Sequence, residues 1–195
     1  MGRLIGNWIR KSTEGLVVAC LLATALICAA TGGLAEAEGL VGQASVIDGD
    51  TLEIHGDRVR LWGIDAPESD QLCRNEESDL YQCGRTAATA LAGLFYTIRR
   101  PVTCFPTGHD QYGRTVAVCS LGTPGPDIGQ WLVANGYALD WPRYSNGKYD
   151  VAERAANEAS LGIWSGSFVE PWRYRVCIRN GGKPGGCSDD ANAHP

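Results

Sequence analysis

The stretch LVGQASVIDGDTLEIHGDRVRLWGI, residues 40–64, decides the fold. Short apolar runs alternate here with turn residues. Ser45-Val46-Ile47 is broken by Asp48-Gly49-Asp50, Thr51-Leu52-Glu53-Ile54 by Gly56-Asp57, and Arg58-Val59-Arg60-Leu61-Trp62 follows. Alternate side chains of a strand face opposite sides, and Asp and Gly accept turn geometry, so the pattern reads as a β-meander. Three strands in a row, with no helix between them, disfavour a parallel βαβ fold.

Working outward, residues 84–99 place Ala88, Leu91, Leu94 and Phe95 on one helical stripe, after an irregular segment from Ser69 to Gln82. Val102–Phe105 and Thr115–Cys119 read as two further strands joined by the polar loop Thr107–Arg114. Asp127–Asn135, ending at Gly136, and Tyr149–Leu161, ending at Gly162, carry helical patterns. The expected class is α+β, mainly β: a five-stranded OB-fold barrel with about three helices at one side. No internal repeat is present. The tail from Val176 is polar and rich in Gly, with Cys177 and Cys187 the only sign that it is tied down.

With 195 residues, 44% apolar and 20% charged, the chain is globular and long enough to bury a core unaided, so its 8 cysteines report something other than a core too small to fold. There are 17 basic and 22 acidic residues, a formal net charge of −5. That balance excludes bulk positive charge as the main force for binding nucleic acid, and a polyanion must be held by a local site.

Arg3, Arg10 and Lys11 precede an apolar run over 16–30, and Ala35-Glu36-Ala37 offers small residues for cleavage, which together read as a secretory signal peptide cut after Ala37. The run is shorter than the roughly 20 residues of a comfortable membrane span. An uncleaved anchor is the alternative, and Cys20 lies too early in the run to suit a lipoprotein. Cleavage leaves 14 basic and 20 acidic residues and an even set of six cysteines: Cys73, Cys83, Cys104, Cys119, Cys177 and Cys187. In an oxidising compartment an even set implies three disulfides, here favoured as the sequence-local couples 73/83, 104/119 and 177/187. Zinc is disfavoured, because no C-x2-C pair exists and only His55, His109 and His194 are available. The expected organisation is a signal peptide at 1–37, one domain at 38–172 and a tail at 173–195. The expected product is an exported monomer, periplasmic or extracellular, without stable membrane association.

Three short segments carry the chemistry: Asp48-Gly49-Asp50-Thr51, Arg60 to Glu68, and Asp110-Gln111-Tyr112-Gly113-Arg114. Each alone is ordinary turn chemistry. Together they supply three carboxylates, Asp50, Asp65 and Glu68, and two guanidiniums, Arg60 and Arg114. A hard cation wants carboxylate and carbonyl oxygens, a base must address the nucleophile, and charge building on a phosphate wants the fork of an Arg. This is the inventory for cutting a phosphodiester with one metal ion. Arg60 and Asp65 are five apart and would face opposite sides of a straight strand, so the chain must bend, with Gly63 the expected place.

The segments V-I-D-G-D-T, R-L-x-G-I-D-A-P-E and D-x-Y-G-R, followed by Leu161-Gly162-Ile163-Trp164, resemble the thermonuclease family, the staphylococcal-nuclease-like domain in its secreted bacterial form. The resemblance covers about residues 40–172. It implies an OB barrel with three helices and Ca²⁺-dependent hydrolysis of DNA and RNA. By the same resemblance Asp50 and Asp65 are Ca²⁺ ligands together with the Ala66 backbone carbonyl, and Glu68 orients or deprotonates the attacking water. Arg60 and Arg114 bind the phosphate, Tyr112 contacts the nucleotide, and Asp48 is an acid behind the metal ligands. The acidic charge, the six cysteines and the tail past Trp172 depart from the family pattern.

The alternative is a non-catalytic OB-fold module that binds nucleic acid or protein, since a fold can outlive its chemistry. All five catalytic-type residues are present here. An EF-hand loop fails because Leu52 stands where a third ligand is needed and no Glu closes the loop. A cysteine hydrolase is less economical than bridges for an even, exported cysteine set.

Overall fold

The structure, a computed structural model, describes residues 39–188, so the signal peptide expected at 1–37 lies outside the described residues. Strands β1 (Leu40–Gly42), β2 (Ala44–Asp48), β3 (Thr51–Ile54), β4 (Asp57–Leu61) and β5 (Ile64–Asp65) come first. A small hairpin, β6 (Leu72–Arg74) with β7 (Leu80–Gln82), leads into helix α1 (Cys83–Ile98). Then follow β8 (Val102–His109), β9 (Thr115–Leu121), α2 (Ile128–Ala134) and β10 (Leu139–Asp140). The chain closes with α3 (Pro142–Ser145), α4 (Asp150–Glu158), a 3₁₀ turn at Gly162–Ser165, α5 (Pro171–Arg179) and α6 (Pro184–Cys187).

Six strands form one sheet in the order β1-β8-β9-β4-β3-β2, antiparallel except where β4 meets β9. The edge strands β1 and β2 are separated by Gln43 alone, so the sheet curls until its two edges reach the same corner. There His55 Nε2 lies 3.1 Å from the Val41 carbonyl oxygen. No ladder joins β1 to β2 among the described residues, so the architecture is mainly β and OB-like but not a closed barrel.

The expected class holds, while the details differ from five strands and three helices. β1 is too short to be separated from β2 by periodicity. The β8–β9 ladder runs on through Gly108↔Val116 and His109↔Thr115 into residues expected to be loop, because backbone pairing does not require apolar side chains. Six α-helices occur among the described residues, and two of them, α3 and α6, are single turns entered at a proline, too short to carry a 3.6-residue pattern. Helix α5 runs from Pro171 to Arg179, across residues 172 and 173.

The core is the concave face of the sheet covered by helices. Leu52, Ile54, Val59 and Leu61 meet Val102, Ala117 and Leu121, with Leu91 of α1 and Ile128, Leu132 and Val133 of α2 above them, all nearly inaccessible. Along β9 the residues Ala117, Cys119 and Leu121 are buried and their neighbours less so, the period of two that a one-sided strand requires. Cys104 and Cys119 stand opposite each other in the β8–β9 ladder and are bridged inside this core. Cys73–Cys83 ties the small hairpin to the start of α1, and Cys177–Cys187 joins α5 to α6. Three disulfides point to an oxidising compartment. No helix among the described residues is long and apolar enough to cross a membrane.

Candidate active site

Asp50 closes the turn between β2 and β3, Arg60 sits on β4, and Asp65 ends β5. Gly63, at φ +76°, turns the chain between β4 and β5, and by that bend the two residues of unlike parity meet. Arg60 Nη1 donates to Asp50 Oδ1 at 3.0 Å and Nη2 donates to Asp65 Oδ1 at 2.7 Å. Asp50 Oδ2 accepts from the Ala66 N–H at 3.2 Å, which sets Asp50 beside the backbone expected to contribute a carbonyl. Asp50 is 5% exposed and Asp65 0%, so these interactions are made in a medium that screens them little. Burial works against the Arg60 charge, but Asp50 and Asp65 outweigh it and raise its pKa.

Glu68 lies three residues on from Asp65, in the loop that follows. Its position is set from two sides. Gln71, fully buried, accepts the Glu68 N–H with Oε1 at 3.2 Å and donates Nε2 to the Val169 carbonyl at 2.6 Å. On the other side α1 begins against the loop. A Cβ on Gly84 would stand 2.0 Å from the Glu68 carbonyl oxygen, so only glycine allows this approach.

Arg114 comes just before the start of β9, the strand beside β4. Asp110 accepts the Tyr112 and Arg114 N–H groups on Oδ1 at 2.9 and 3.0 Å and the Arg114 Nε on Oδ2 at 2.7 Å. Arg114 Nη1 reaches Thr51 Oγ1 at 3.4 Å, and that hydroxyl donates to Asp50 Oδ1 at 3.0 Å. Arg114 is therefore linked to the acid pair through one hydroxyl. Tyr112 is 72% exposed, its ring 5.6 Å from the Arg114 guanidinium carbon. Asp48 accepts the Gly49 N–H at 2.8 Å. Burial, with the Asp50 and Glu68 charges adding, lifts its pKa to about 6 against that bond and the Arg60 charge.

One member has no counterpart in the sequence reading. Arg175, on α5, donates Nη1 to Asp65 Oδ1 and to Glu68 Oε1, each at 2.9 Å, and Nη2 to Asp65 Oδ2 at 2.7 Å. Burial opposes its charge, but the bonds to Asp65 and Glu68 outweigh that and raise its pKa well above the usual arginine range. Burial also pushes the Asp65 carboxyl upward, and the Arg175 bonds check that rise. The Arg60 and Arg175 guanidiniums both flank Trp141, at 5.9 and 5.6 Å from its ring centroid. Only the cysteines that follow it, at 177 and 187, hinted that this segment was anchored.

The structure thus gathers Asp50, Arg60, Asp65, Ala66 and Glu68 into one place, with Arg114 joined through Thr51, while Tyr112 stays at the rim. Three carboxylates and a backbone carbonyl are hard oxygen donors, the kind Ca²⁺ takes. As the side chains stand, no group of three or more His, Cys, Asp or Glu among the described residues is close enough to hold a metal ion. The donors fit the ion in kind, and the Arg175 guanidinium holds the position between two of them.

Residues 58–166 match the family model described as Staphylococcal nuclease homologue. The chain is 41% identical over 152 residues to the succinoglycan biosynthesis protein ExoI of Rhizobium meliloti strain 1021, covering 78% of this chain and 75% of the relative. It is 32% identical over 150 residues to a micrococcal nuclease of Shigella flexneri, covering 69% of this chain and 79% of that one. Asp50 and Arg175 lie outside the family match, on either side of it.

Proposed function

The chain belongs to the family of staphylococcal nuclease homologues, and from that premise we propose that it is an exported, monomeric, Ca²⁺-dependent nuclease that hydrolyses phosphodiester bonds of DNA, RNA or both. The observation that carries the reading is the convergence of Asp50, Arg60, Asp65 and Glu68, drawn from two separate segments, within hydrogen-bonding reach of one another or of a shared guanidinium. Asp50, Asp65 and the Ala66 carbonyl would hold the metal. Ca²⁺, when bound, supplies positive charge to the phosphate oxygens and a site for water.

The chain's own residues do the rest. Glu68, half-exposed beside the buried acids, orients the attacking water and takes its proton. Arg60, whose Nη1 and Nη2 bond Asp50 and Asp65, and Arg114, just before the neighbouring strand β9, are the guanidiniums that bind the scissile phosphate and meet charge developing on its oxygens. Asp110 leaves the Arg114 Nη groups for that task by taking its Nε. Tyr112, exposed next to Arg114, contacts the adjoining nucleotide. With the mature chain acidic, affinity comes from this local array and not from the overall field.

A second reading, a non-catalytic OB-fold binding module, is favoured by one observation: Asp65 and Glu68 are both engaged by Arg175. Release of acid-soluble product from DNA and RNA, with Ca²⁺ and with excess chelator, separates the two. Cleavage that needs Ca²⁺ is expected. Binding without soluble product at saturating Ca²⁺ would establish the module instead.

A further inference from the structure

Arg175 stands on the segment that departs from the family pattern, and that segment is fastened to the site at several points. The Tyr174 hydroxyl donates to Asp70 Oδ1 at 2.9 Å, Gln71 Nε2 donates to the Val169 carbonyl at 2.6 Å, and the Leu72 N–H donates to Ser188 Oγ at 2.9 Å. Cys177–Cys187 fixes α5 to α6, so the residues on both sides of Arg175 are held against the loop that carries Glu68. The guanidinium they present fills three acceptor positions, two on Asp65 and one on Glu68, and Arg60 takes a further one on Asp65. A carboxylate offers about four such positions, so Asp65, fully buried, has three of them occupied by cationic donors.

We propose that Arg175 is a positioning residue that competes with the metal: its guanidinium occupies the cation position between Asp65 and Glu68, and Ca²⁺ enters only as the α5 latch lets it go. The proposal rests on the reading of Asp50, Asp65 and the Ala66 carbonyl as a metal site with Glu68 beside it. A divalent ion at Asp65 cannot share both carboxylates with a guanidinium that bridges them, because the two cations repel at contact distance in a poorly screened pocket. Apparent metal affinity is then the intrinsic affinity multiplied by the fraction of molecules in which Arg175 has left. The latch also keeps the acids neutralised and in place while no metal is bound, which a cluster of three carboxylates needs. If Arg175 served only to hold the carboxylates in place, its removal would weaken metal binding, and if it acted by its charge alone, Arg175→Lys would bind Ca²⁺ as the wild type does.

Calcium binding by titration calorimetry, with no nucleic acid present, decides between these on the full mature chain, using Ca²⁺ alone as the probe. Arg175→Gln is expected to tighten Ca²⁺ binding by about tenfold or more. Arg175→Lys, which keeps a charge but cannot bridge both carboxylates, is expected to fall between it and the wild type. The double variant Cys177→Ser with Cys187→Ser, which loosens α5 without touching the acids, is expected to shift in the same direction, and it carries the test if Arg175→Gln does not fold. Equal or weaker Ca²⁺ binding in Arg175→Gln, or in the double variant when that carries the test, would overturn the latch and leave the metal site standing. No Ca²⁺ uptake at millimolar concentration in any of these proteins would overturn the metal site and the latch together.

Discussion

Asp110 holds Arg114 by its Nε at 2.7 Å and, on its other oxygen, by the backbone N–H at 3.0 Å, so one carboxylate fixes both the turn and the direction of the guanidinium. The pair is partly exposed, with side chains 27% and 16% accessible, and as a surface ion pair would contribute little to stability. Its consequence is orientation. Asp110→Asn keeps an acceptor for the backbone and loses the charged grip on Nε, so kcat is expected to fall roughly tenfold to a hundredfold with the melting temperature nearly unchanged. Steady-state kinetics beside a thermal melt checks this, and an unchanged kcat would remove Asp110 from the machinery.

Glu68→Gln and Asp50→Asn should fail in different ways. The first preserves size and a carbonyl acceptor for Arg175 but removes the basic oxygen, so kcat is expected to drop by roughly 10² to 10⁴ at saturating Ca²⁺. The second removes charge from a proposed ligand, so the Ca²⁺ concentration for half-maximal activity should rise as well as the plateau falling. Activity measured across a Ca²⁺ series for both variants reads the difference. Near-wild-type turnover in Glu68→Gln at saturating Ca²⁺ would remove Glu68 from the role of base.

Gly84 gives a stability prediction whose sign is opposite to helix propensity. In an open helix position Gly→Ala stabilises by roughly 0.5–1 kcal/mol. Here the added methyl meets the Glu68 backbone oxygen at 2.0 Å and the Pro67 oxygen at 2.6 Å, and backbone cannot rotate away as a side chain can. Gly84→Ala is therefore expected to destabilise by roughly 1–3 kcal/mol and to displace Glu68, lowering kcat as well. Denaturant unfolding and kinetics on the same preparation check both. Unchanged stability would show that α1 can shift.

Glu153 gives a pH dependence away from the catalytic residues. Burial raises its pKa, the Asp140 and Asp150 charges add, and the Asp140 N–H, which donates to Glu153 Oε2 at 2.6 Å, opposes. Both carboxylate oxygens of Asp140 are buried without a hydrogen-bond partner among the described residues. An acid whose folded pKa lies above its unfolded value keeps its proton longer in the folded state. Its contribution is therefore most favourable in acid and is lost as pH rises through the folded pKa. Glu153→Gln retains an acceptor for the Asp140 N–H and never charges. It is expected to melt above the wild type at pH 7, with the gap closing towards pH 4. Parallel melting curves across that range would contradict this.

Much of the molecule was legible along the chain. The strands from Leu40 to Ile64, helix α1 and the β8–β9 pair follow from period two, period 3.6 and turn residues, all properties of neighbours in sequence. The same locality makes Cys73–Cys83, Cys104–Cys119 and Cys177–Cys187 the natural couples. The acids and arginines of three short segments could be named because each residue type is matched to a task. What only the tertiary structure decided lies between distant segments. Asp65 and Arg175 are 110 positions apart, and an arginine on a short helix carries no local mark of the carboxylate it will meet. The curl that brings β1 and β2 to one corner without closing them, and the approach of α1 to Glu68 through Gly84, are likewise products of packing. Periodicity encodes which face of an element is buried; it is the packing of elements against one another that sets what each buried charge is paired with.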